Sequence, residues 1–155
     1  MDWVLLMFRL NRLTDYAVVV MAQMSLRGDK VRTAPQISQD TGVPLPTVAK
    51  LLNALARENL VASHRGAAGG YALSKPAGEI TVAEIIQALE GPIALTACVD
   101  GSVGSCESET LCPMRGNWDK VNRAIRHALS GVTLADMALT FVTFGDLPER
   151  ESRAV

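Results

Sequence analysis

The chain has 155 residues, 48% hydrophobic and 20% charged, with a formal net charge of -1, which fits one compact domain or a small domain with an appendage. Its longest uncharged apolar stretch, Tyr16 to Leu26, is about half of the ~20 residues a membrane span needs, and MDWVLLMF lacks the basic start of a secretory leader, so a soluble cytoplasmic protein is expected. The net charge sums unlike halves: residues 1–75 hold nine Lys or Arg against five Asp or Glu, +4, and residues 76–155 hold six against eleven, -5, so a basic half suited to a polyanion is masked by an acidic one.

Residues 1–8 read as an extension, and Phe8 to Leu10 as at most a short strand. From Asn11, NRLTDYAVVVMAQMSLRG predicts a helix, with Asn11 as N-cap, Leu13, Ala17, Val20, Met21 and Met24 at three- and four-residue spacing, and Gly28 as its close. TAPQISQDTGVPLPTVAKLLNALARENLV predicts two helices around a tight turn. Thr33 caps the first, Gly42 supplies the turn, and the second starts near Leu45 or Pro46, where proline suits the first helical position. Val48, Leu51, Leu52, Leu55 and Leu60 give that second helix its apolar face. Two helices joined this way are the helix-turn-helix pattern, which many unrelated helical hairpins share.

VASHRGAAGGYALS follows: a short apolar strand, a loop with Arg65 and Gly66, Gly69 and Gly70, then a strand with Tyr71 and Leu73. A glycine-rich hairpin tip approaches another surface closely, and a hairpin directly after a recognition helix is a wing. SKPAG reads as a linker. ITVAEIIQALEG predicts a fully punctuated helix, with Thr81 and Glu84 as a capping box, Ile80 and Ile85 as a staple and Gly91 as the stop. Residues 92–114 lack periodicity and read as a loop. RGNWDKVNRAIRHALSG predicts a long helix with Trp118, Val121, Ile125 and Ala128 or Leu129 on one face. Far from the first core, that stripe needs a partner surface, and the same helix in a second subunit supplies one. Residues 138–155 show no firm pattern, with Ala138 to Phe144 able to pack and a tail from Pro148.

Three cysteines, Cys98, Cys106 and Cys112, lie within fifteen residues with spacing C-x7-C-x5-C, the last followed by Pro113. An odd number of clustered cysteines in a cytosolic chain points to metal or redox chemistry more than to disulfides. Structural zinc sites usually pair ligands two to four residues apart, whereas wider gaps suit an iron-sulfur cluster; zinc and redox or unliganded thiols stay open. A fourth ligand could come from Glu107, Glu109, His127 or elsewhere. No catalytic His/Asp arrangement accompanies the thiols, which weighs against a thiol oxidoreductase.

Together these segments resemble the winged helix-turn-helix iron-sulfur regulators of the IscR and NsrR types, closest to regulators of SUF cluster assembly. The carriers are RLNRLTDYA at Arg9 to Ala17, ISQDTGVPLPTVAKLL, the wing RGAAGGY, the helix ITVAEIIQALEG and the cysteine loop ending CPMRGNW. The resemblance implies a mainly α fold with a small β wing: a winged helix-turn-helix domain over 9–76, then a cysteine loop and a long dimerisation helix over 77–137, with 138–155 as a tail. It implies a homodimer that binds double-stranded DNA, represses iron-sulfur assembly genes and holds a [4Fe-4S] or [2Fe-2S] cluster on Cys98, Cys106 and Cys112. IscR-like members place a histidine ligand three residues after the third cysteine. Here that residue is Arg115, and a guanidinium cannot ligate. NsrR-like members use an aspartate on the partner subunit's first helix, and Asp15 holds the matching place. The first cysteine gap is also longer than the five residues common in the family.

On the second helix of the motif, Pro46, Thr47, Ala49, Lys50 and Asn53 point away from the core face. Thr47 and Lys50 suit major-groove base edges, and Pro46 and Ala49 suit a thymine methyl. Arg65 at the wing tip suits a narrow minor groove, and the basic half as a whole supplies phosphate contacts. A two-fold dimer predicts an inverted-repeat operator.

Overall fold

The structure is a computed structural model that describes residues 10–28, 30–94 and 117–145. It is mainly helical. Helix α1 (Arg12–Leu26) begins where expected, the Asn11 side chain accepting from the Leu13 N–H, and buries Ala17, Val20, Met21, Ala22 and Met24. Helices α2 (Ala34–Thr41) and α3 (Leu45–Arg57) follow. Thr33 and Gln36 form a capping box on α2 that the sequence reading credited only to Thr33.

After α3, Asn59 adopts a left-handed conformation with φ 58. The Leu60 N–H then reaches back to the Leu55 carbonyl at 3.0 Å, the long-loop bond that closes a helix. Strands β1 (Val61–His64) and β2 (Gly70–Leu73) pair antiparallel, Val61 opposite Leu73 and His64 opposite Gly70. The expected linker contains one turn of 3-10 helix at Ala77–Glu79. Helix α4 (Val82–Glu90) carries the expected Thr81–Glu84 capping box, and Gly91 at φ 84 ends it. Ile80 and Ile85, the expected staple, are both fully buried.

Helix α5 (Asn117–Ser130) is the expected long helix. The expected boundary between residues 137 and 138 falls inside a further helix, α6 (Leu134–Gly145). Its start is a third box: Thr133 N–H donates to Asp136 Oδ2 at 2.9 Å, and Asp136 N–H to Thr133 Oγ1 at 3.2 Å. The entry to α6 is pinned beside the entry to α4, with Leu134 N–H donating to the Ile80 carbonyl at 2.8 Å and Val82 N–H to the Val132 carbonyl at 2.9 Å. Leu134 and Ala138, one turn apart, thereby enter the same core as α1.

One core joins both halves of the chain. Ala17, Val20 and Met21 of α1 meet Ile37 of α2, Val48, Leu51, Leu52 and Leu55 of α3, Ile85 of α4, and Leu134 and Ala138 of α6. The helix-turn-helix therefore rests on a base that includes the C-terminal helix.

Candidate nucleic-acid interface

The α2–α3 turn is set by Gly42, whose φ of 76 suits a residue without Cβ. Side chains then lock it: Ser38 Oγ donates to the Val43 carbonyl at 2.7 Å, Thr41 Oγ1 to the Ile37 carbonyl at 2.7 Å, and Val43 N–H to Thr41 Oγ1 at 3.2 Å. Buried Ile37 and Val43 flank the turn and tie it to the core. Pro44 occupies the N-cap of α3 and Pro46 its first turn.

Facing inward, Val48, Leu51, Leu52 and Leu55 are all at most 1% exposed. Pro46, Lys50 and Asn53 are exposed on the other face, with Thr47 and Ala49 half-buried beside them. The six residues expected to meet DNA therefore lie at the surface, Arg65 among them, exposed in the turn between β1 and β2. Ser63 and His64, also exposed at the end of β1, were not singled out from sequence; their place beside Arg65 in the hairpin register was the available signal.

The wing is braced by a contact that the sequence reading missed. Arg32 forms an isolated bridge with Tyr71, its N–H donating to the Tyr71 carbonyl at 2.9 Å and its carbonyl accepting from Tyr71 at 2.7 Å. The two backbones meet at Gly70, where an added Cβ would lie 2.5 Å from the Arg32 carbonyl oxygen. The glycine thus permits close approach within the protein, while the hairpin tip projects outward.

Not all of the basic half is available for phosphate. The Arg32 guanidinium pairs with Asp40, to which Arg27 also reaches at 3.7 Å. Lys75 pairs with Glu84 at 2.6 Å. Glu84 accepts from the Thr81 N–H at 2.8 Å through its other oxygen. Burial raises the Glu84 pKa, but Lys75 and Thr81 outweigh it and hold the carboxyl below its ordinary value. Arg32 and Lys75 therefore stabilise the fold, and the expectation that the basic residues of this half act together as phosphate contacts is corrected for these two.

Cys98, Cys106 and Cys112 lie outside the described residues, as do Glu107 and Glu109. Asp15 is exposed in the first turn of α1, and His127 is exposed on α5. Among the described residues, no three His, Cys, Asp or Glu side chains come together as a metal site. The stem of the cysteine loop, residues 91–94, is described. It forms one wall of a cavity of about 530 Å³ lined also by Leu10, Val82, Ile86, Ile125 and Leu129. Among the described residues, no helix is long and apolar enough to cross a membrane.

The sequence pattern of the Rrf2 family, described as an iron-dependent transcriptional regulator, matches residues 10–140. The HTH-type transcriptional regulator IscR of Cronobacter sakazakii is 31% identical over 130 residues, 83% of this chain and 79% of that protein. Among solved structures, CymR of B. subtilis, described as the global cysteine regulator, superposes with a TM-score of 0.66 at 29% identity, over 86% of this chain and 98% of that one. The IscR of T. potens gives a TM-score of 0.63 at 26% identity, over 92% and 93%.

Proposed function

The chain belongs to the Rrf2 family of transcriptional regulators, and from that premise we propose that it is a DNA-binding repressor whose operator affinity reports the state of an iron-sulfur cluster. The reading is carried by one combination: a helix-turn-helix with an outward Thr47, Lys50 and Asn53 face, and three cysteines within fifteen residues reached through a stem bonded to the rest of the fold. Residues 9–76 read DNA, and residues 77–137 sense and dimerise. The protein acts as a cytoplasmic homodimer on an inverted-repeat operator and is not an enzyme.

Three thiolates and a carboxylate form a donor set suited to a [4Fe-4S] or [2Fe-2S] cluster with one exchangeable position. Cys98, Cys106 and Cys112 supply the thiolates, and Asp15 on α1 of the other subunit supplies the carboxylate. The cluster contributes iron open to ligand and electron exchange at that position. The protein's own part is to hold the loop and α1 in one arrangement when ligated and to release them otherwise, a two-state element biased by a ligand. On the DNA side, Thr47, Lys50 and Asn53 meet the major groove, Pro46 and Ala49 make apolar contacts, and Arg65 enters the minor groove.

Anaerobic purification tests the reading. A brown protein with iron and sulfide bound at the three cysteines is expected, and Asp15→Ala is expected to leave a cluster that is lost faster in air. A colourless protein containing only zinc, or no metal, overturns it. A second reading, a thiol-based regulator without a cluster, has the support of the B. subtilis global cysteine regulator's equally close fold. Reversible, thiol-dependent DNA binding in iron-free protein is its distinguishing result.

A further inference from the structure

Glu90 is the last residue of α4 and immediately precedes Gly91, where the stem of the cysteine loop begins. One of its carboxylate oxygens, Oε1, accepts from the main-chain N–H of Asn11 at 2.7 Å and from Thr14 Oγ1 at 2.8 Å. In a capping box, the third helical residue reaches back to the N-cap's own N–H. Gln36 does this for α2 and Glu84 for α4. In α1 the third residue is Thr14, whose side chain donates its hydroxyl proton to Glu90, while Glu90 takes the N-cap N–H. The box is completed by a residue 76 positions away, and its negative charge sits at the positive end of the helix dipole.

Thr14 is fully buried, and the next residue, Asp15, is exposed. Three residues beyond Glu90, the Ile93 carbonyl accepts from Nδ2 of Asn122, which is 2% exposed, at 2.9 Å. The stem is therefore bonded to α1 at one end and to α5 at the other. Through Val20, Met21 and Met24, α1 shares its core with α2 and α3.

We propose that Glu90 is a positioning residue that couples the cysteine loop to α1, and through α1 to the DNA-reading helices. When the loop's cysteines are ligated, the stem is fixed and Glu90 holds the first turn of α1. When they are not, that turn loosens along with the helix that carries Asp15. This deepens the reading above and rests on the cysteine loop being the sensing element.

Hydrogen exchange on the full chain tests the coupling, comparing cluster-free protein with protein reconstituted anaerobically with ferrous iron and sulfide. In the wild type, loading is expected to slow exchange over residues 11–18 by roughly tenfold, the scale of one charge-assisted hydrogen bond. Glu90→Ala is expected to abolish that difference while residues 48–55 of α3 exchange as before. Glu90→Gln, which keeps an acceptor oxygen, restores it. If Glu90→Ala speeds exchange equally in both forms and preserves the difference, Glu90 is a structural cap only and the proposal is overturned. Should Glu90→Ala fail to fold, Thr14→Val, which removes one of the two bonds at similar volume, carries the same comparison. A wild type that takes up no iron and sulfide overturns the cluster reading itself, a result distinct from a loaded protein whose α1 does not respond to Glu90.

Discussion

Arg65 stands in the turn of the wing with its side chain in solvent, whereas Arg32, two positions before the start of α2, is paired with Asp40. Two arginines of equal formal charge therefore have different uses, and sequence charge alone does not separate them. Arg65→Ala is expected to weaken operator binding by about tenfold and to lower the salt slope by roughly one, since one cation near the DNA backbone is lost. Titration of labelled operator at several salt concentrations measures both, and an unchanged affinity would remove the wing from the interface. The outward positions Pro46, Thr47, Ala49, Lys50 and Asn53 were legible because helical period fixes which residues oppose the buried leucines. The partners of Glu90 and the bridge from Arg32 to Tyr71 were not, because they lie far away in sequence.

The starts and stops of the elements follow local rules. Asn11, Thr33 and Thr81 cap helices by accepting from N–H groups two or three residues ahead, and Gly42 and Gly91 end or turn them with positive φ. The Arg32 bridge to the wing was missed because a single residue between loops carries no strand signal. Gly70→Ala at that crossing forces a Cβ against the Arg32 carbonyl at a φ of 151, and a loss of roughly 2–4 kcal/mol in urea unfolding is expected. Glu84 ties the wing's exit at Lys75 to the cap of α4. Because its folded pKa is lowered, its contribution is present above the unfolded glutamate value and is lost as pH falls through the folded value. Glu84→Gln is expected to lower the melting temperature near pH 7 and to close part of the gap to wild type near pH 3, as thermal melts across that range would show. A constant difference at both pH values would exclude the linkage.

Across the whole molecule, two surfaces of α5 have different fates. Asn122 is buried against the stem of the cysteine loop. Trp118 and Val121 are 43% and 44% exposed on the face that the sequence assigned to a second subunit. Val121→Lys is expected to turn a dimer into a monomer in analytical ultracentrifugation and to reduce binding to an inverted repeat by the loss of the second half-site. A variant that remains dimeric would place the interface elsewhere. The C-terminal helix shows the limit of pattern reading at this scale. LADMALTFVTFG is largely apolar, so beyond the Thr133–Asp136 cap at its start, its buried face becomes evident only where Leu134 and Ala138 meet α1.

The amino-acid sequence determined the helix-turn-helix, the wing, the punctuation of α4 and the outward face of α3, because caps, turns and periodicity act within a few residues. Tertiary structure alone decided that α6 completes the core beneath α1, that Arg32 braces Tyr71 of the wing, and that Glu90 caps a helix from across the chain. Those outcomes depend on which distant segments fold together, and burial of a shared apolar core, rather than any local preference, brings them into contact.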